Sequence, residues 1–184
     1  VVLWLLTARA QRNNTSRSAG SWLSAAMLFS YAVTFSFAYV SLNTGTGALI
    51  LFGSVQATMF AAALIRSERP GLPEYIGLII ALGGLTYLVF PGLKAPSPWG
   101  ALLMALAGIS WGIYSLRGRG ATDPIAATRD NFLRAAVLVL PIGIIFFSSL
   151  QVSFKGMVLA VVSGGLTSAI GYVIWYAALQ NLRA

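Results

Sequence analysis

The 184 residues include no cysteine and no histidine, and only four are acidic. These absences exclude disulfides, thiol chemistry, zinc sites built on His or Cys, and imidazole acid–base catalysis. Charge of either sign is scarce: 9% of residues are charged, where a soluble domain carries roughly a quarter. Such a chain lacks the polar surface to face water all round. The four acids, Glu68, Glu74, Asp123 and Asp130, fall at expected helix ends or in loops. Hydrolytic, metal-dependent and nucleophilic schemes need groups gathered at a pocket, and no such set converges here. A GxxxxGK[ST] phosphate loop is missing too, so an ATP-driven pump is disfavoured. No enzymatic activity, catalytic residue, metal site or cofactor is expected.

Apolar residues are what the chain has in abundance: 58% of it is hydrophobic. A bilayer core of about 30 Å needs roughly 20 apolar residues as helix. Six stretches qualify, approximately Trp22–Leu42, Gly47–Ile65, Tyr75–Phe90, Trp99–Leu116, Phe132–Leu150 and Met157–Leu179, and none contains Asp, Glu or Lys. The opening run Val1-Val2-Leu3-Trp4-Leu5-Leu6 has no basic leader and no cleavage site, so it is read as the end of a preceding membrane helix rather than a signal peptide. The chain as a whole is read as incomplete at both ends. The expected fold is all-α, a polytopic transmembrane helix bundle of about six full spans plus the end of a preceding one. The ten-residue alternation of outer-membrane strands is missing from these runs.

The basic residues set an orientation. Arg9, Arg12, Arg17, Arg66, Arg69, Arg117, Arg119, Arg129, Arg134 and Arg183 occupy every second gap between apolar runs, and the gaps between those hold only Lys94 and Lys155. Cytoplasmic loops retain Lys and Arg while translocated loops lose them. Loops 7–21, 66–74 and 117–131 are therefore expected on the cytoplasmic side of the cell (inner or plasma) membrane. The net charge of +8 reflects this topology, together with some attraction to anionic headgroups. A nucleic-acid partner is not expected, because the basic residues do not cluster on one polar face.

Local signals add detail. Asn43-Thr44-Gly45-Thr46-Gly47 reads as a tight hairpin, Ser67–Pro73 as a polar turn with two prolines, and Arg117–Asp130 as the longest loop and the seam between two halves. Gly83-Gly84 and Gly164-Gly165 permit close helix contact, and Pro141 is expected to kink the fifth span. A weak match of Ser30–Leu42 with Thr167–Leu179, pairing Ala32 with Ala169, Tyr39 with Tyr176 and Leu42 with Leu179, hints at related halves, a common transporter plan.

Several segments together resemble the EamA type of the drug/metabolite transporter superfamily. They are Ala63-Leu64-Ile65-Arg66-Ser67-Glu68-Arg69-Pro70 followed by Gly77-Leu78-Ile79-Ile80-Ala81-Leu82-Gly83-Gly84, then Ser110-Trp111-Gly112-Ile113-Tyr114, then Gly171-Tyr172-Val173-Ile174-Trp175-Tyr176. Glu68 matches an acidic residue that ends the fourth helix of a repeat, although Ser67 stands where a Gly is usual. The resemblance implies a two-repeat, ten-helix fold with both termini cytoplasmic. On that plan residues 1–92 hold the end of helix 2 and helices 3–5 of the first repeat, and 93–184 hold helices 6–8 of the second. It further implies a secondary transporter that moves small organic metabolites or drugs by alternating access. An integral-membrane enzyme or a non-transporting scaffold subunit is the alternative.

Transporters of this kind bind solute near the midplane through polar groups facing the bundle interior. Gln56 is the only amide deep within a span, and an unpaired amide in hydrocarbon costs several kcal/mol, so it is expected to face protein or a wet cavity. An interhelical hydrogen bond that holds the bundle together is the alternative. Tyr31, Trp111, Tyr114 and Tyr172 are the aromatic candidates, able to stack on a solute or meet a cation through ring faces, with the interfacial belt the alternative for Trp111 and Tyr114. Tyr39, Trp175 and Tyr176 lie nearer helix ends and suit the interfacial belt. Ser163, Thr167 and Ser168 are expected to bond back to their own helix carbonyls. The expected partners are a small organic solute and the lipid bilayer, with homodimer formation left open.

Overall fold

The computed structural model describes residues 20–66, 71–90, 95–119, 123–149, 152–168 and 171. The opening run, Glu68, Arg69, Lys94, Tyr172, Trp175 and Tyr176 lie outside the described residues. Among those described, six α-helices and no strand occur. They are α1 (Trp22–Ala38), α2 (Thr44–Ile65), α3 (Leu72–Val89), α4 (Pro98–Gly118), α5 (Pro124–Ile145) and α6 (Phe154–Val161), the last running on into a π-helical segment, Val162–Ser168.

Helix starts follow residue chemistry. Ser97 accepts a hydrogen bond from the Gly100 N–H at 3.0 Å, Asp123 from Ala126 at 3.0 Å and Ser153 from Gly156 at 3.0 Å. Each satisfies one of the donors that a first turn leaves orphaned. Pro98 and Pro124 begin their helices directly after these caps, where a missing N–H costs nothing. Between α1 and α2, the Tyr39 hydroxyl donates to the Thr44 carbonyl at 3.4 Å, which closes the expected hairpin.

Two helices, α2 and α4, are long and apolar enough to cross a membrane. With 22 and 21 residues they extend about 33 and 31 Å. The apolar segments Trp22–Ala38, Leu72–Tyr87 and Phe154–Gly165 are shorter. The fifth element departs from expectation. Helix α5 starts at Pro124 instead of Phe132 and ends at Ile145 instead of Leu150. It thereby takes in Arg129 and Asp130, which had been assigned to the loop 117–131. Helix α4 likewise continues through Arg117 and Gly118. The expected loop 117–131 thus shrinks to the few residues between Gly118 and Pro124. The reason is local: the Asp123 cap and Pro124 nucleate a helix as soon as the chain reaches them.

The described residues fall into two compact units, Ala26–Arg119 and the described parts of Val1–Ala25 with Gly120–Ala184. Within Ala26–Arg119 the core is formed by Ala38, Leu42, Leu51, Met104 and Ala107, with Tyr31, Phe35, Tyr39, Ile50 and Leu103 packed against it. Helix α1 runs antiparallel to α4: Ser41 pairs with Ser97, Ser30 with Ser110 and Tyr31 with Trp111, so numbers rise along one as they fall along the other. The tightest pair is α2 with α4, and these two run parallel. A Cβ built on Gly108 would lie 2.6 Å from the Leu51 carbonyl oxygen and 2.6 Å from Ser54 Cβ, and one on Gly112 would lie 2.9 Å from Thr58 Cβ. Only glycine permits that approach of backbone to backbone. Between membrane helices such packing does the work that apolar burial does in water. Arg66 and Arg117, at the C-terminal ends of this parallel pair, consequently sit at the same end of the unit.

Gly83, Gly84, Gly164 and Gly165 were expected to mediate helix contacts, and among the described residues they do not: a Cβ on any of them meets open space. Gly100, Gly108 and Gly112 of α4 make close contacts instead.

Candidate functional site

The site is built on α1 and α4. On α1, Tyr31, Phe35 and Tyr39 recur every fourth residue, so helical geometry stacks them on one face. Ring centroids are 5.4 Å apart for Tyr31–Phe35 and 4.8 Å for Phe35–Tyr39, the second pair edge-to-face at 81°. The row passes to α4 through Trp111, whose ring lies 4.8 Å from Tyr31, and ends on Tyr114, 5.9 Å from Trp111. Five aromatic side chains form one continuous ladder. Offset and tilted arrangements of this kind are the ones that ring quadrupoles favour.

Tyr114 is buried, and Tyr31, Phe35, Tyr39 and Trp111 are half-buried. The ladder thus has an anchored inner edge and an accessible outer one. A polar element sits one residue before its centre: the Ser110 hydroxyl donates to the Ser30 hydroxyl at 3.1 Å, tying α4 to α1 beside Trp111 and Tyr31. A hydroxyl pair can both donate and accept. Ser30 also gives its carbonyl to the Thr34 hydroxyl at 2.7 Å. The assembly offers stacking faces, ring edges and hydroxyls, with no ionised side chain among them.

Three sequence candidates, Tyr31, Trp111 and Tyr114, are therefore brought together. Tyr172 lies outside the described residues. Gln56 stands apart from the ladder. Leu51 and Val55 of α2 are buried, while Gln56, a hundred degrees round the helix from Val55, is exposed and makes no hydrogen bond within the described residues. Phe35, Ser30 and Ser110 went unread from sequence. The every-fourth-residue spacing of Tyr31, Phe35 and Tyr39 was the signal for the first, whereas nothing in sequence marks the serine pair, because it depends on the α1–α4 register. Ser168 behaves as expected, its hydroxyl donating to the Ser163 carbonyl at 3.0 Å.

No metal-holding group of three acids, His or Cys occurs among the described residues. In the second unit the polar side chains gather where the start of α1 meets the first turns of α5. The Ser21 N–H donates to Asn131 Oδ1 at 2.9 Å, the Arg134 guanidinium carbon lies 5.7 Å from the centre of the Trp22 ring, and Arg129 pairs with Asp130 at 2.8 Å.

Comparison with known proteins agrees with a membrane setting. The chain is 47% identical over 174 residues to uncharacterized protein PA1977 of Pseudomonas aeruginosa, a match that covers 95% of this chain and 61% of that protein. It is 29% identical over 112 residues to the uncharacterized inner membrane transporter YedA of Escherichia coli K12, covering 60% of this chain and 34% of YedA. YedA of Escherichia coli O157:H7 matches to the same degree. The chain spans about three fifths of the length of the Pseudomonas protein and about a third of that of YedA. No protein-family model matches the sequence, and no solved structure does. This apolar, all-helical chain is thus similar to a bacterial inner membrane transporter over more than half its length.

Proposed function

We propose that the chain belongs to an inner-membrane secondary transporter of the EamA, drug/metabolite type, moving a small organic solute by alternating access. The observation that carries this reading is the similarity to YedA, a protein named as an inner membrane transporter, in a chain whose helices α2 and α4 have membrane-spanning length. The aromatic ladder supports it. Tyr31, Trp111 and Tyr114 would take the apolar or cationic part of a solute by stacking and ring-face attraction. The Ser30–Ser110 pair would meet its polar groups.

In this reading the arginine-bearing ends of α2 and α4 face the cytoplasm, and the turn between α1 and α2 faces the opposite side. The bilayer and the solute are its partners. The protein carries out no bond chemistry and uses no cofactor or nucleic acid.

The test is flux. Full-length protein reconstituted in liposomes, given a panel of radiolabelled amino acids and fluorescent aromatic cations, should show saturable movement of at least one of them without ATP. Trp111→Ala should reduce that flux while the amount of protein in the membrane holds. Turnover of a lipid with no flux of any probe would favour a membrane enzyme and overturn the proposal.

A further inference from the structure

Helix α5 carries the Arg129–Asp130 ion pair and Arg134 along its length, its buried face is made of small and polar residues, and it contains an internal proline, Pro141. Ala127, Thr128, Asn131 and Ala135 are buried on it, while Gly20, Ser21, Ser24 and Ala25 form the start of α1 and the segment leading into it. Contact here is close: a Cβ on Gly20 would fall 2.7 Å from Asn131 Oδ1 and 2.6 Å from an Arg134 guanidinium nitrogen. The attachments include Ser21 N–H to Asn131 Oδ1 at 2.9 Å and Arg134 over Trp22 at 5.7 Å. Of the large apolar side chains of α5, Leu133, Val137 and Leu140 are exposed. The α2–α4 pair, by contrast, is locked backbone against backbone.

Two further observations indicate a second arrangement. Thr128 is 1% exposed, and its hydroxyl has no hydrogen-bond partner among the described residues. A buried, unsatisfied hydroxyl is a cost that a parting of the seam would relieve. Pro141 lies four residues after Val137 and cannot donate to its carbonyl, so the i→i−4 ladder of α5 is interrupted there. The missing bond lowers the cost of bending α5 at that point.

We propose that the first part of α5 is a gate, hinged at Pro141 and latched through Asn131 and Arg134 to the start of α1. Opening breaks the Ser21–Asn131 hydrogen bond, withdraws Arg134 from Trp22 and gives the Thr128 hydroxyl to water. Its purpose rests on the transporter reading, as the cytoplasmic gate of alternating access, whereas its structural evidence does not.

The experiment is a distance measurement. The sequence has no cysteine, so Leu23→Cys with Leu133→Cys supplies a clean label pair at positions 51% and 59% exposed. Electron paramagnetic resonance on the spin-labelled full-length protein in liposomes should show a shorter and a longer distance. Asn131→Ala should raise the ratio of longer to shorter about fivefold, the effect of losing one hydrogen bond. Pro141→Ala should lower the ratio by at least as much. One distance, unchanged by either substitution, would overturn the gate. Two distances in a protein that carries no probe across the membrane would uphold the gate as a moving element and refute the transporter reading.

Discussion

The indole of Trp111 lies 4.8 Å, centre to centre, from the ring of Tyr31, with the two planes tilted by 47°. One residue earlier on each helix, Ser110 and Ser30 share a hydrogen bond. The two contacts fix both the rotation and the register of α4 on α1, and the ladder from Tyr39 to Tyr114 follows from them.

Removing the centre of that ladder should show in transport. Trp111→Ala is expected to weaken the apparent affinity for a transported solute about 2–12-fold, equivalent to an aromatic contact of about 0.5–1.5 kcal/mol. Trp111→Phe should recover most of it. Initial-rate flux at several solute concentrations separates this from a change in maximal rate. Equal flux in wild type and Trp111→Ala would remove the ladder from the solute path.

Gly108 tests the packing of the core. Because the nearest neighbour of an added Cβ is the Leu51 carbonyl, which is backbone and cannot swing aside, Gly108→Leu should force α2 and α4 apart. The expected cost is about 1–3 kcal/mol, read as a lower melting temperature in detergent. Gly53→Ala, on the open side of α2, should be neutral or stabilising by up to about 1 kcal/mol through helix propensity. Equal melting temperatures for the two variants would contradict the glycine-mediated contact.

Gln56 separates a functional from a structural amide. It is exposed and makes no hydrogen bond among the described residues, so Gln56→Leu should leave the melting temperature unchanged or raise it. Flux should fall if its amide meets solute. A lower melting temperature would mean instead that Gln56 holds helices together.

The sequence made some of this legible and left the rest out of reach for physical reasons. Apolar runs located α1 to α4 to within a few residues, because the runs are bounded by turn and capping residues, Asn43, Gly71 and Ser97, each directly before a helix. Charge misplaced the start of α5. Arg129 and Asp130 read as loop, yet a capped helix beginning at Pro124 carries them, and they neutralise each other. Glycine pairs advertised contact at Gly83-Gly84, but contact needs a partner helix at that height, and α2 faces Gly108 and Gly112 instead. Tyr31, Trp111 and Tyr114 were identifiable by residue type, whereas the Ser30–Ser110 link required the register of two helices eighty residues apart.

Sidedness tests the central claim most directly, since an alternating stack of membrane-crossing helices underlies every functional statement above. Ser41 and Ser97 are hydrogen-bonded at 2.9 Å, which places the α1–α2 turn beside the start of α4. Single cysteines at Asn43, Ala95 and Thr122 can each be challenged with a membrane-impermeant maleimide on intact cells and on inverted vesicles. The account predicts that Asn43→Cys and Ala95→Cys label on intact cells and Thr122→Cys only on inverted vesicles. Labelling of all three from one side, or of Asn43→Cys and Ala95→Cys from opposite sides, would contradict it.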